Sequence, residues 1–409
     1  MLLEFGMQMI LILVTGFCIA LSPIISRLID KLARIAKTPG AVYILVMVAG
    51  CLFSLISWGW VVLTAILARE LGKRVDGVDY AYLVACVYLS SNPWVAGLSS
   101  SIPLVLNTEG NFLITTNVLE DLIPVSLTLG SLLNYLYLAM FLLTVPLLMW
   151  LLRPHPESAT SIAEMREADH RKPNTVAEEA EQQNLTGTSL SDRLNNSQWL
   201  QLIISLAALW FIFRYFSSNG FNLNLNIMIF LFIALGLIAH QTPMRYVVAM
   251  KRACSNVSGI IFQYPFYAGI MGIMMFSGLG TLLSTWMAGG ASVESLPFLA
   301  LLSGSVINFA IPSAGGEWAV IGPALTETAL KLTEALPADQ AQAFVARIAM
   351  ATAYGETISN LLQPFFLLII LPVMGAGVRI QARDVMGYLV VPFIYLFTMA
   401  SLLVTFIPL

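Results

Sequence analysis

Glu317 and Glu356 are carboxyl residues set inside apolar sequence, and neither has a Lys or Arg close to it along the chain. A carboxylate deep in a membrane is costly, so it is normally neutralised, paired or used to carry a proton. Both are therefore candidates for proton coupling, against the plainer reading of a protonated carboxyl hydrogen-bonded to neighbouring helices. Sodium is an equally open coupling ion, because the carbonyls of a broken helix together with Asn and Ser oxygens can ligate it. Nothing calls for a cofactor or a structural metal. Cys18, Cys51, Cys86 and Cys254 are scattered without ligand spacing and read as packing residues.

The second chemistry the sequence offers is anion binding by neutral groups. No Lys or Arg stands near the middle of an apolar run, so a carboxylate there has to be held by backbone N–H groups and hydroxyls. The N-terminus of a half-helix suits this, since unpaired donors and the positive end of the dipole point at one place. Ser313, Gly315 and Gly316 supply such an end, and Ser99, Ser100 and Ser101 in G-L-S-S-S-I-P offer a counterpart at a break in the run from 80 to 106. The competing reading is that small residues merely allow close helix packing. Asn308, Gln263, Tyr354, Asn360 and Gln363 are polar at membrane depth, and interhelical hydrogen bonding is their alternative role. Trp58 and Trp318 flank two expected tips, where an indole packs or covers an alkyl chain. The ligand these groups suit is small, monoanionic and partly apolar.

The elements that must position them follow from composition. The chain has 409 residues, 58% hydrophobic and 11% charged, with apolar runs of near-spanning length, which places it among all-α polytopic membrane proteins. A net charge of -3 and no basic stripe leave no nucleic-acid partner, and the lipid bilayer is the surrounding phase. Full spans are expected at 2–22, 80–106, 123–150, 198–217, 222–240, 257–286, 344–372 and 385–407. The runs 41–66 and 297–330 have polar or glycine-rich centres, S-L-I-S-W-G-W and I-P-S-A-G-G-E-W, and are expected to be re-entrant hairpins. Backbone freed by Pro312, Gly315 and Gly316 is tolerated at membrane depth only inside protein or beside a watery cavity.

Charge placement orients the chain. Arg27, Lys31, Arg34 and Lys37 precede the first hairpin and Arg69, Lys73 and Arg74 follow it, so both of its ends lie in the cytoplasm, whereas the second opens on the opposite face. That topology leaves only Arg214, Lys331 and Arg347 outside. Residues 1–152 form a first membrane half, 153–197 a polar and largely disordered cytoplasmic linker, 198–217 a connecting span and 218–409 a second half. Residues 241–257 alternate apolar and basic residues and suit an interfacial arm. Gln8 and Gln263 each open a span, a hairpin follows, and A-C-V-Y-L-S-S-N-P-W and A-T-A-Y-G-E-T-I-S-N then align Tyr88 with Tyr354, which describes an inverted repeat with broken helices. The first half is expected to lack an N-terminal span that the architecture would otherwise have.

F-G-M-Q-M near residue 7, W-G-W at 58, F-Q-Y-P-F-Y-A-G-I at 262, I-N-F-A-I-P-S-A-G-G-E-W at 307 and A-Y-G-E at 353 resemble the short-chain fatty acid transporters of the AtoE type, in the same order over nearly the whole chain. The resemblance implies a bacterial inner-membrane carrier for carboxylates such as acetoacetate or butyrate, within an ion transporter superfamily whose folds are inverted-repeat and often homodimeric. It implies a secondary transporter working by alternating access, with proton or sodium symport open. A carrier of the same architecture for another small organic anion is the alternative. A polytopic membrane enzyme fits less well, since the histidines are only His155, His170 and His240, two of them in the linker.

Overall fold

The computed structural model describes residues 2–155, 158–165, 176–182, 190–220, 222–255, 291–364, 366–375 and 377–407, with separate positions between 261 and 290. Most of the expected span at 257–286, Gln263 included, lies outside the described residues. Elsewhere the chain is helical, with no strand among the described residues. The first half comprises α1 (Leu2–Ala20), α2 (Pro23–Leu32), α3 (Pro39–Ile56), α4 (Val61–Arg74), α5 (Tyr80–Ser90), α6 (Ser101–Leu106), α7 (Phe112–Thr115) and α8 (Leu132–Leu151). The short α9 (Val176–Gln182) and α10 (Leu190–Asn195) lead to α11 (Gln198–Asn219), α12 (Leu225–His240) and α13 (Pro243–Cys254). Then come α14 (Leu296–Ile307), α15 (Ala314–Leu332), α16 (Ala338–Ser359), α17 (Leu367–Met374), α18 (Ala382–Met386) and α19 (Val390–Phe406).

Among the described residues, α3, α8, α11 and the run Ala382–Phe406 are each long and apolar enough to cross a membrane. The bent pair made by α1 and α2, kinked by 63°, passes the same test. α11 exposes Trp199, Trp210, Phe211 and Phe213, the pattern of a helix whose outer surface meets lipid. α1 and α12 run side by side in the same direction: Gln8 donates to Asn226 Oδ1 (2.8 Å) at one end, and His240 Nε2 meets the Cys18 carbonyl (2.8 Å) at the other. Each is followed by a short amphipathic helix opened by a Ser-Pro or Thr-Pro cap, Ser22 before α2 and Thr242 before α13.

One run breaks as expected and two expected boundaries differ. The run 80–106 is divided into α5, a 3-10 turn at Asn92–Ala96 and α6. The run 344–372 is divided in the same way, α16 giving way to a 3-10 turn at Asn360–Leu362 before α17, because a polar N-L-L-Q-P sequence offers Pro364 no continuing helix. The span placed at 123–150 starts as helix only at Leu132, since Pro124, Ser126, Thr128 and Gly130 favour turns. Parts of the 153–197 linker are docked as well. Thr160 N–H donates to Asp79 Oδ2 (3.2 Å), Tyr80 N–H donates to the Thr160 carbonyl (3.0 Å), and Glu179 on α9 pairs with Arg252 on α13 at 2.5 Å.

Candidate functional site

Two places where the chain folds back meet two places where a helix breaks. The first fold-back is set by Ser57, whose extended backbone (φ -152°, ψ 131°) ends α3, and a single turn at Trp58–Trp60 leads into α4. α3 and α4 pack on each other beyond that turn: a Cβ on Gly50 would lie 2.7 Å from Thr64 Cγ2. Trp60 Nε1 donates to the Gly16 carbonyl of α1 (2.9 Å). Trp58 N–H donates to Ser99 Oγ (2.9 Å) and Leu98 N–H to the Leu55 carbonyl (2.7 Å), which seats the tip on the α5–α6 break. Gly97 makes the approach possible, because a Cβ there would sit 2.4 Å from the Leu55 carbonyl oxygen.

The second fold-back runs from Asn308 to Ser313. Ser313 is the N-cap of α15, its hydroxyl accepting from Gly316 N–H at 3.5 Å, so Ala314, Gly315 and Gly316 form the first turn and are buried. Glu317 follows, 1% exposed, facing α14 where a Cβ on Gly304 would lie 3.2 Å from its Oε1. α14 lies against α16 with almost no side chain between them: a Cβ on Gly355 would meet the Leu301 carbonyl at 2.0 Å, and one on Gly304 the Thr352 carbonyl at 2.5 Å. Asn308 then bonds the α16 break. Its Nδ2 reaches the Glu356 carbonyl (3.1 Å), Ser359 Oγ (2.8 Å) and Asn360 Oδ1 (3.0 Å), while Gln363 Nε2 donates to the Asn308 carbonyl (3.1 Å). Asn360 Nδ2 donates to Glu356 Oε1 at 2.9 Å.

The two breaks are joined directly. Tyr88 O–H donates to the carbonyls of Asn360 (2.6 Å) and Gln363 (2.9 Å), Thr357 Oγ1 donates to the Asn92 carbonyl (2.8 Å), and Asn92 Nδ2 donates to the Thr357 carbonyl. The Trp58 ring lies 6.0 Å from Trp94 and 6.3 Å from Phe366, one from each break. The structure thus gathers Trp58, Ser99, Asn308, Glu356 and Asn360 into one connected region. Tyr354 stands apart from the tips, stacked on Tyr137 at 4.0 Å with its hydroxyl donating to Asn134 Oδ1 (2.9 Å). Trp318 is fully buried in α15 against Gly322, a packing position.

The buried polar atoms left without a protein partner are unevenly distributed. They include both Glu317 oxygens, Glu356 Oε2 and Asn308 Oδ1, all acceptors unless protonated, together with the hydroxyls of Ser100 and Ser101 and the Trp318 indole N–H. Around the second tip every amide nitrogen of Asn308, Asn360 and Gln363 already has an acceptor, whereas four oxygens of Glu317, Glu356 and Asn308 have no donor. Tyr88, Asn92, Thr357 and Trp94 were not singled out as site residues from sequence. The N-P pair at 92–93 was the available signal, since it marks a break within an apolar run. Among the described residues no group of three His, Cys, Asp or Glu is placed to hold a metal ion.

Helices of spanning length and apolarity, with two further runs broken and joined at their breaks, define a polytopic helical membrane protein. Its fold resembles the solved structure of Neisseria gonorrhoeae MtrF, described with a class of antimetabolite efflux pumps, at a TM-score of 0.53 over 97% of this chain and 80% of that one, with 14% identity. The family model described as short chain fatty acid transporter matches residues 1–407. Two proteins named "Putative short-chain fatty acid transporter" align over 96% of the chain: one of Escherichia coli K12 is 37% identical, with 84% of its length covered, and one of Haemophilus influenzae is 35% identical, with 85% covered. The chain belongs to the short-chain fatty acid transporter family, and it is a multi-pass bacterial membrane protein.

Proposed function

We propose that the protein is a secondary carrier of short-chain monocarboxylates, acetoacetate- or butyrate-like, across the bacterial inner membrane. On this reading the α3–α4 and α14–α15 units are re-entrant hairpins of an inverted repeat, alternating access moves them against the remaining spans, and the coupling ion is a proton. The observation that carries the coupling is the oxygen surplus at the second tip. Four acceptor atoms on Glu317, Glu356 and Asn308 lack donors in a buried setting, and protons on the two carboxyls supply the missing hydrogen bonds at least cost. A sodium ion would satisfy the same oxygens, which is why the test carries both gradients.

The carboxylate of the substrate is held by neutral donors. Candidates are the first-turn N–H groups of α15 at Gly315 and Gly316, capped by Ser313, and the free hydroxyls of Ser100 and Ser101 beside Ser99. Trp58, half-buried between the two breaks, covers the alkyl chain, and Asn308 and Asn360 hold the broken segments in place. Uptake of labelled butyrate into proteoliposomes is the decisive measurement. Accumulation driven by an inward proton gradient and indifferent to sodium is expected. Uptake that follows a sodium gradient alone would transfer the role to sodium, and no uptake of any short carboxylate would end the reading.

A further inference from the structure

A cavity of about 800 Å³ lies beside the first fold-back, away from the Glu317–Glu356 cluster. Its walls are apolar, from Leu55, Ile56, Val125, Leu129, Leu138 and Leu223. Its polar lining is neutral: Asn107, Asn134, Asn219, Asn222 and Ser126, without a charged side chain. Three of these amides are spent on structure: Asn134 Nδ2 donates to the Ala96 and Leu129 carbonyls, Asn107 Nδ2 to Asn222 Oδ1 and the Leu223 carbonyl, and Asn219 Nδ2 to the Tyr215 carbonyl. Asn222 accepts through its oxygen, so its amide N–H groups and the exposed Ser126 hydroxyl are the neutral donors this wall has to offer. Neutral donors facing aliphatic walls suit a small amphipathic anion bound loosely and released readily.

The position gives that site a purpose. Apart from the first fold-back and the α5–α6 break, the segments that line it, the end of α6, residues 124–138 and the α11–α12 connection, lie on the outer side in the topology expected from the basic residues. Its floor touches both central elements: Gly97 and Leu98 belong to the α5–α6 break that carries Ser99, and Asn134 accepts from Tyr354 of α16. We propose that the cavity is a second substrate site, an outward vestibule that collects short monocarboxylates before they reach the tips, an inference that rests on the carrier reading above.

The test uses the full-length protein with Cys254→Ser, the remaining cysteines being buried. In one arm, Ser126→Cys is labelled on intact cells by a membrane-impermeant thiol reagent, with Asp339→Cys as an outer control. Millimolar butyrate should slow labelling at 126 at least fivefold and leave 339 unchanged. In the other arm, Asn222→Asp keeps the oxygen that Asn107 needs and adds a negative charge, so KM for butyrate should rise about tenfold with the maximal rate within twofold of wild type. Unprotected labelling and an unchanged KM, in a protein that still takes up butyrate, would overturn the vestibule alone. Protection by dodecanoate and not by butyrate would assign the cavity to an acyl chain and equally overturn it. If the wild type takes up no butyrate, the carrier reading itself falls and takes the vestibule with it.

Discussion

At Glu356 one carboxyl oxygen is occupied and the other is not: Oε1 accepts from Asn360, while Oε2 is buried without a partner. Gln at this position keeps the Asn360 bond and places a permanent N–H where a titrating proton would sit. Glu356→Gln is therefore expected to fold, insert and exchange internal for external butyrate near the wild-type rate, yet lose net uptake driven by a pH gradient. Glu317→Gln should behave alike if it carries the proton; if both variants answer the gradient as wild type does, neither carboxyl couples transport. Gly316→Leu tests the anion cradle, because a bulky side chain would cover the first-turn N–H groups of α15, and uptake should vanish with insertion intact. The glutamates were legible in the sequence because a carboxyl inside an apolar run stands out unaided. Asn92, Tyr88 and Thr357 were not, because their roles depend on a second helix breaking at the matching place, and the sequence of one break does not name its partner.

The same limit appears one scale up. Fold-backs at 57–60 and 308–313 were readable, since W-G-W and P-S-A-G-G each interrupt apolar helix with residues that free the backbone. The irregular stretch before α8 and the break after Ser359 were hidden by hydropathy, which averages over short polar interruptions. What binds these elements is close backbone approach. Gly97→Ala would drive a Cβ into the Leu55 carbonyl, and Gly355→Ala one into the Leu301 carbonyl, each costing about 1–3 kcal/mol through overpacking. Both should lower the melting temperature of the purified protein in detergent, and an unchanged melting temperature would show that the helices separate freely. The re-entrant reading has its own check. Single cysteines near Lys37 and Arg69, the two ends of the α3–α4 unit, should react from the cytoplasmic side alone; reaction from opposite sides would make α3 a full span and remove the basis of the inverted repeat.

Across the whole molecule, the two ends of the helices differ in how firmly the halves hold each other. The end expected to face outward carries the cavity beside the first tip. At the opposite end, expected from its basic residues to be cytoplasmic, the ends of the first half grip those of the second: Arg69 donates to the Val373 carbonyl (2.5 Å) and Tyr80 O–H to the Met374 carbonyl (2.8 Å). The docked linker spans the same side, with Thr160 held to Asp79 and Tyr80 and the Met165 carbonyl accepting from Arg379 N–H (2.8 Å). The sequence showed only a polar run here, because a few backbone bonds at Thr160 and Met165 dock it without an apolar pattern to announce them. On the carrier reading proposed above, the cavity marks the outward-open side and these contacts form the inward latch. A buried hydrogen bond contributes about 0.5–1.5 kcal/mol, so losing one shifts a two-state equilibrium by roughly two- to tenfold. Tyr80→Phe removes only the hydroxyl that bonds Met374, and it should move the population toward the inward-open state by that factor. Outside labelling of Ser126→Cys should slow accordingly, and a cysteine at Leu371 should become more reactive toward reagent applied to inside-out vesicles. Labelling rates unchanged at both positions would mean that the cytoplasmic contacts are static packing, and the latch would then have to be sought at the joined breaks of α5 and α16.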